Sequence, residues 1–388
     1  MGNIMDYISW RGDLTFAQSP FNEVDNLILA CFSYVNLDGI PAVSGKKGIE
    51  LKKLVKEFKK LHTIKELEAD KSFIRLAPFM MFEMAKSVRF GNCVIRNYVN
   101  EIVTEAEQQF SAVEIVLDDG TSYVSFRGTD DTIIGWKEDF NLSTGVVPAQ
   151  ERAVEYMQRI SDKAYGMLRA GGHSKGGNLA IYGSVMRKSA HDKILEIYSN
   201  DGPGFSKEFQ ESPETAEMMP KIIRIIPEYS IIGTLLEHEK QPIIVASTSR
   251  GLLQHDGFSW EVQGPGLVRR DSLNKTALRF IEILHKWIDG MDTEQKRLLI
   301  EDLFATLQAS GYENLSEVQS GGLKSLAAMV KRLDKFAPES RGMMQELLTA
   351  ICGGWLEQLQ ENTKDKLSAI PQSFSDKILE KFQIFGTI

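Results

Sequence analysis

A serine flanked by glycines stands between a strand-like segment and a helix-like segment. The stretch Gly171-Gly172-His173-Ser174-Lys175-Gly176-Gly177 contains the pattern G-x-S-x-G. Strand-like residues 167–170 precede it and a helix-like run over 178–186 follows it. In this context the pattern predicts a nucleophile elbow, a sharp strand-to-helix turn that needs glycines where a Cβ would meet neighbouring backbone. The alternative is a glycine-rich turn whose serine has no chemical role.

Strand-like segments recur on both sides of this turn. Before it, residues 113–117 and 123–126 flank Asp119-Gly120, a dipeptide that favours a hairpin because a type I′ turn needs positive φ. A helical segment over 149–165 then leads to the turn. Further strand-like segments cover residues 194–198, 222–226 and 242–246. Their alternation with helical segments predicts an α/β fold with a mostly parallel sheet covered on both faces.

The 388-residue chain is long enough for two units. From about residue 271, apolar residues recur at helical spacing and no strand pattern appears. We therefore expect an α/β domain over residues 1–270 and a helical C-terminal domain or cap over residues 271–388.

Composition and charge argue against several classes of function. The net charge of −8 disfavours general nucleic-acid binding, which needs a basic face. The three cysteines, Cys31, Cys93 and Cys352, are far apart and form no C-x-x-C pair, which disfavours disulfides and zinc and favours a reducing compartment. We expect a cytoplasmic protein, because Met1 to Arg11 lacks the apolar core of a signal peptide and no segment is apolar enough to span a membrane.

Two upstream segments are rich in apolar residues. Residues 48–61 form an amphipathic pattern whose other face is crowded with lysines. Such a helix packs on a core with a solvated basic face, or lies on an anionic membrane surface. Residues 73–84 are dense in Phe and Met, which is typical of core and also of a pocket for a flexible acyl chain.

A nucleophilic serine needs a base and an acid that orients the base. In elbow enzymes the chain order is Ser, then Asp or Glu, then His. Of the six histidines, His255 lies in a loop after the last strand-like segment and fits this order best. His173 is inside the turn, and we expect it to point away from the position of the base. The alternative for His255 is an ordinary surface loop residue.

The acid has more than one candidate. Glu228 directly follows the segment 222–226 and is preferred, because carboxylates at strand ends can reach the base. Asp201 follows 194–198 in a glycine-rich turn, and Asp256 is a further alternative. Each could instead be a turn former or a helix cap.

An oxyanion hole needs two donors aimed at the developing charge. The backbone N–H of Lys175, the residue after the nucleophile, is one candidate. Thr129, at the end of Phe126-Arg127-Gly128, is the other, unless it is only a turn residue. We expect the Lys175 ammonium to point to solvent; contact with an anionic substrate group is the alternative.

These motifs resemble a known family. Phe126-Arg127-Gly128-Thr129, Trp136, Asp139 and the elbow are similar to the class-three (fungal-type) triglyceride lipases. More of the chain resembles a bacterial family of lipase-like α/β-hydrolases called Mbeg-like. The stretches that carry this second resemblance are Trp10-Arg11-Gly12-Asp13, Pro20 to Leu27, Gly128-Thr129-Asp130, Gly135 to Phe140 and His255-Asp256-x-Phe258-Ser259-Trp260.

The resemblance implies an α/β-hydrolase fold, with Ser174 as nucleophile, Thr129 as oxyanion residue and His255 as base. One departure concerns the acid. Where the lipases carry their aspartate, ahead of Ile231-Ile232, this chain has Pro227-Glu228-Tyr229-Ser230. The acid has therefore moved to Glu228 or Asp201, or the triad is degraded. The secretory signal of the lipases is also not found.

The sequence therefore favours a serine hydrolase that cleaves acyl esters or lipids through an acyl-enzyme, with no metal or cofactor. A thioesterase or a peptidase could use the same site. The alternative from another class is a non-catalytic binding or scaffold protein on a hydrolase fold, which the missing aspartate and the helical tail favour. Oligomeric state, acyl length and leaving group are left open.

Overall fold

The computed structural model describes residues 1–70, 72–103, 108–129, 146–164, 166–236, 240–275 and 293–309, with 277–279, 281–282, 311, 328, 329, 332 and 341. Its strands are β1 (Ile49–Glu50), β2 (Val94–Val103), β3 (Gln108–Val116), β4 (Ser122–Phe126), β5 (Leu168–His173), β6 (Ile194–Asn200), β7 (Ile222–Pro227), β8 (Ile243–Val245), β9 (Val262–Gln263) and β10 (Gly266–Leu267). Its α-helices are α1 (Ile4–Arg11), α2 (Glu23–Phe32), α3 (Pro41–Ser44), α4 (Leu51–Leu61), α5 (Ile64–Ala69), α6 (Ala77–Lys86), α7 (Val88–Gly91), α8 (Pro148–Ser161), α9 (Lys175–Val185), α10 (Lys207–Gln210), α11 (Pro213–Met218) and α12 (Thr293–Gln308).

The first eight strands form one sheet in which chain order equals spatial order. The pairs from β1 to β4 are antiparallel and the pairs from β4 to β8 are parallel. The hairpin predicted between β3 and β4 at Asp119-Gly120 is confirmed. The predicted type I′ turn is wrong, because Gly120 has a positive φ of 81° and Asp119 does not. The Gly120 N–H donates to the Leu117 carbonyl oxygen at 3.3 Å, so the turn spans residues 117–120 and ends in a left-handed glycine. β2 was not predicted, because its polar residues obscure the apolar pattern of a strand.

Helices cover both faces of the sheet, as the alternating pattern predicts. Side chains alternate along β4, so that Tyr123 packs into one hydrophobic cluster and Val124 into the other. The first cluster is completed by α1, α2, α4 and α6, and the second by α8 and α9. Because β5 is buried between these layers, its carboxyl end is held at a fixed position. The sheet and its helices form an α/β-hydrolase fold.

The predicted amphipathic helix is α4. Its apolar residues Leu51, Leu54 and Phe58 are buried in the core, and its lysines are exposed. The dense apolar segment continues into α6, where Met80, Met81 and Met84 are core residues. In the part of the chain that the structure describes, no helix has the length and apolar character needed to cross a membrane.

A buried ion pair joins the helices α2 and α7. The guanidinium of Arg89, a residue of α7, contacts the Asp25 carboxylate of α2, with Nε to Oδ1 at 2.6 Å. The remaining donors of Arg89 reach carbonyl oxygens of the loop that connects α1 to α2, including Ser19 at 2.9 Å. Burial raises the pKa of Asp25, and the contacts with Arg89 oppose that rise.

Of the predicted tail, the structure describes α12. The predicted division at residue 270 therefore stays a prediction.

Candidate active site

Ser174 lies at the predicted strand-to-helix turn, between β5 and α9. Its backbone has φ 57° and ψ −135°, a conformation that is unfavourable for a residue with a Cβ. A hydrogen bond fixes the turn to the end of β6: the Ser174 N–H donates to the carbonyl oxygen of Asn200 at 2.9 Å. The turn is a nucleophile elbow in its geometry.

The glycines of the motif are required by close backbone contacts. A Cβ on Gly172 or on Gly176 would collide with the backbone oxygen of Phe126 on the neighbouring strand β4. A Cβ on Gly177 would lie 2.6 Å from the Ser199 hydroxyl of β6. Helix α9 therefore starts directly against the strands on either side of β5, which is why small residues surround the serine.

His255 and Asp201 form a buried pair at this edge of the sheet. Asp201 directly follows β6, and its Oδ2 lies 2.7 Å from His255 Nδ1. Its Oδ1 accepts a hydrogen bond from Ser230 Oγ at 2.5 Å and from the Gly233 N–H at 3.2 Å. A carboxylate opposite Nδ1 assigns the ring proton to that nitrogen, because a carboxylate only accepts. Nε2 of His255 is then the basic nitrogen.

The carboxylate preferred from the sequence, Glu228, is not the one that meets His255. Its side chain pairs with Arg270 Nε at 3.3 Å, and its backbone bonds to β8 and to Asn274. Asp256 caps a short turn, accepting from the Phe258 N–H at 2.9 Å. The preference failed because strand-end placement does not tell which of two neighbouring strand ends faces the loop that carries His255.

His173 fixes the position of the His255 loop. Its Nε2–H donates to the His255 carbonyl oxygen at 2.6 Å, and its Nδ1 accepts from the Tyr34 hydroxyl at 2.8 Å. The two imidazole rings lie 4.6 Å apart between centroids. Full burial keeps the pKa of His173 well below its usual range, so the ring is neutral. The expectation that His173 points away from the base is wrong, because it lies beside the His255 ring.

The other described histidines lie outside this group. His191 contacts Glu217 at 3.0 Å and the Val185 carbonyl at 2.9 Å. His62 stacks on Phe58, with 4.3 Å between ring centroids.

The two oxyanion candidates are both close to Ser174 in the structure. Lys175 is the first residue of α9, and Thr129 follows Gly128, at the end of β4. Gly128 contacts the elbow so closely that a Cβ on it would lie 3.0 Å from the Ser174 Cβ. Thr129 is therefore beside the serine and is buried. Lys175 is only 5% exposed, so the expectation that its ammonium points to solvent is wrong.

Buried Asn and Gln side chains stabilise the elbow through hydrogen bonds. Asn200 Nδ2 donates to the Gly172 carbonyl at 3.0 Å, and Asn26 Nδ2 donates to Asn200 Oδ1 at 2.8 Å. On the α9 side, Asn178 accepts from Gln150 at 2.8 Å and donates to the Gly204 carbonyl at 2.8 Å. Sequence reasoning missed these residues, because an amide that bonds to distant backbone has no local pattern.

Two further points concern metal ligands and the remaining motif residues. Among the residues that the structure describes, no group of three or more His, Cys, Asp or Glu side chains could hold a metal ion. Trp136 and Asp139, on which the resemblance also rests, lie outside the described residues.

The sheet order, the elbow and the histidine–carboxylate pair at its edge define a lipase-like α/β-hydrolase. The chain belongs to the Mbeg1-like family, whose sequence profile matches residues 84–305.

Two lipases of known structure have a distant similarity to the chain. A lipase from Rhizomucor miehei, in a native complex with its propeptide, is 17% identical with a TM-score of 0.30. That match covers 39% of this chain and 57% of the lipase, so the chain spans little more than half of it. The M37 lipase is 14% identical with a TM-score of 0.34, covering 84% of this chain and 96% of that one. No curated protein sequence matches the chain.

Proposed function

We propose that this protein is a serine hydrolase that cleaves acyl esters, with Ser174 as nucleophile, His255 as base and Asp201 as the orienting acid. The observation that carries the proposal is the 2.7 Å contact between Asp201 Oδ2 and His255 Nδ1, on a loop that His173 docks against the elbow. A buried carboxylate that fixes the tautomer of a histidine beside a strained serine is the arrangement that activates a hydroxyl.

The acylation step follows from these positions. His255 Nε2 takes the proton of Ser174 Oγ as Oγ forms a bond to the ester carbonyl carbon. The resulting imidazolium is stabilised by the carboxylate of Asp201, whose Oδ1 also accepts from Ser230 and Gly233. His255 then protonates the leaving alkoxide, the C–O bond to it breaks, and an acyl-serine remains.

The same groups return the enzyme to its starting state. His255 removes a proton from water, the hydroxide attacks the acyl carbon, and Ser174 Oγ leaves with the proton from His255. In both steps the carbonyl oxygen carries negative charge. The backbone N–H of Lys175 and Thr129 are the proposed donors to that charge, which contributes several kcal/mol in comparable sites, roughly 3–4 per donor.

The substrate proposed here is a small-molecule acyl ester or lipid. Cys31 and Cys93, the described cysteines, are buried free thiols, and burial raises the pKa of both. Free thiols support the expectation of a reducing, cytoplasmic compartment. The exposed lysines of α4 support contact with an anionic lipid surface through charge alone, since the apolar side of that helix is buried.

A fluorophosphonate probe tests the proposal directly. It reacts with activated serines, so the wild-type protein is expected to be labelled and Ser174→Ala is expected to remain unlabelled. Ser184→Ala is the matched control, because it removes another buried serine hydroxyl, on α9, outside the proposed triad. Labelling of Ser184→Ala at the wild-type rate is expected.

The outcome separates the enzyme from the non-catalytic alternative. If folded wild type is not labelled and hydrolyses none of a graded series of p-nitrophenyl esters, the protein is a binding or scaffold protein on a hydrolase fold. If Ser174→Ala is labelled as fast as wild type, the nucleophile is misassigned.

A further inference from the structure

A cavity of about 260 Å³ opens beside the elbow. It is lined by residues of α4, α5, α6 and the turn before α6, by residues that follow α2, and by residues of β3 and the end of β4. Gly128 belongs to its lining and also contacts Ser174, where an added Cβ would lie 3.0 Å from the serine Cβ. The apolar part of the lining consists of Phe58, Leu67, Ile74 and Pro78. The cavity therefore begins one residue from the proposed oxyanion residue.

The volume limits what the cavity can hold. An engineered cavity of about 150 Å³ holds one benzene molecule, which gives roughly 25 Å³ per heavy atom. At that density, 260 Å³ holds a group of about ten heavy atoms. A long fatty acyl chain exceeds this volume.

Arg127 gives the cavity a cationic group. The lining also includes Asp70, whose Oδ1 already accepts a hydrogen bond from the Ser72 N–H at 2.8 Å. The Arg127 side chain lines the cavity, and Nη2 donates to Asn100 Oδ1 at 3.0 Å. Among the described residues it makes no other side-chain hydrogen bond and no ion pair. A guanidinium has five N–H donors. A purely apolar ligand would displace water from those donors without replacing it, whereas a carboxylate would pair with them.

We propose that this cavity binds the acyl part of the substrate, that it admits groups of about ten heavy atoms or fewer, and that Arg127 binds a carboxylate carried by that group. The inference rests on the proposed ester hydrolysis for its kinetic test. It specifies the substrate as the ester of a short dicarboxylic acid, with one carboxyl esterified and the other free. Residue 127 is then a specificity-determining position.

The kinetic test compares esters that differ only in the free carboxylate. The p-nitrophenyl monoester of adipic acid and the p-nitrophenyl ester of hexanoic acid have similar length. We expect wild type to hydrolyse the adipoyl ester with a kcat/KM about 10- to 100-fold higher, the range of a charge-assisted hydrogen bond. Arg127→Met is expected to abolish this preference, and Arg187→Met, a second partly buried arginine, is expected to retain it.

A second pair of variants tests the limit on the size of the acyl group. Ile74→Trp is expected to fill the cavity and to lower kcat/KM for the adipoyl ester at least tenfold. Ile64→Trp is the matched control, because Ile64 lies on α5 with 44% of its surface exposed. Wild type is expected to hydrolyse the palmitoyl ester poorly.

Binding separates failure of this inference from failure of the proposed function. Calorimetry with Ser174→Ala protein and monomethyl adipate needs no turnover, and Arg127→Met or Ile74→Trp in that background is expected to remove binding. Binding without any hydrolysis by wild type would overturn the ester hydrolase and keep the pocket. Hydrolysis with equal kcat/KM for the adipoyl and hexanoyl esters, unchanged in Ile74→Trp, would overturn the pocket and keep the hydrolase.

Discussion

Replacing Asp201 with asparagine is expected to abolish most of the activity while leaving the fold intact. The Oδ1 atom of Asp201 accepts from Ser230 Oγ and from the Gly233 N–H. An asparagine keeps its carbonyl oxygen at that position, which turns its NH₂ group toward His255 Nδ1. An NH₂ group only donates, so Nδ1 must accept and the ring proton moves to Nε2. His255 then cannot take the proton of Ser174.

The size of the effect follows from the tautomer. The equivalent change in a serine protease leaves the geometry intact and lowers kcat by roughly 10⁴-fold. At about 1.36 kcal/mol per factor of ten, this is a loss of about 5 kcal/mol of transition-state stabilisation. The loss is expected in kcat, with KM little changed. The substitution changes which nitrogen of His255 carries the proton, and it does not remove a group that binds the substrate.

The assay is steady-state hydrolysis of the p-nitrophenyl ester that wild type cleaves best, with the melting temperature as the control for folding. Glu228→Gln is the matched variant, since it makes the same carboxylate-to-amide change at the neighbouring strand end. It is expected to retain kcat within about threefold, because it loses a partly exposed ion pair of small energy. A Glu228→Gln variant with the larger loss would refute the assignment of the acid.

Three further predictions concern the support of the site. Gly172→Ala is expected to destabilise the protein by about 1–3 kcal/mol, since the new Cβ collides with neighbouring backbone; Gly45→Ala, where the nearest atom lies 4.0 Å away, is expected to be neutral by chemical denaturation. His173 is neutral when folded and protonates below about pH 6.5 when unfolded, so stability is expected to fall as pH drops below that value, by at most about 1.4 kcal/mol per pH unit from this group. His173→Gln is expected to flatten that dependence between pH 5 and pH 7, and an unchanged slope would contradict the burial of the ring. Arg89→Met is expected to cost about 3–5 kcal/mol by leaving the Asp25 carboxylate buried without its cation, and a melting temperature equal to wild type would refute this.

Much of the sheet could be predicted because its signals are local. The hairpin at Asp119-Gly120 needs only two residues and the alternation beside them. The strand, turn and helix around Ser174 are consecutive in the chain, and the glycines report directly where backbone comes close. β2 was not predicted, because its apolar pattern is weak. In the structure it is stabilised by antiparallel pairing with β3, which the sequence of β2 alone does not show.

The site could be predicted only in part, because its members meet through tertiary contacts. The chain order pointed to His255, and the structure does place its imidazole on a carboxylate beside the elbow. Which carboxylate it meets depended on how the loop over 251–255 crosses the ends of β6 and β7. The stretch ahead of Ile231-Ile232, where the resemblance implies an aspartate, reads Pro227-Glu228-Tyr229-Ser230 in this chain. Ser230 of this stretch donates to Asp201, so the carboxylate that meets His255 follows the neighbouring strand β6.

The sequence by itself determined the α/β order, the elbow and the chemical types that the site could contain, because turn conformation and strand alternation are encoded by adjacent residues. The tertiary structure decided the orienting carboxylate, the burial of Lys175 and the cavity beside Gly128. These depend on distances between residues far apart in the chain, which packing sets and no local pattern records.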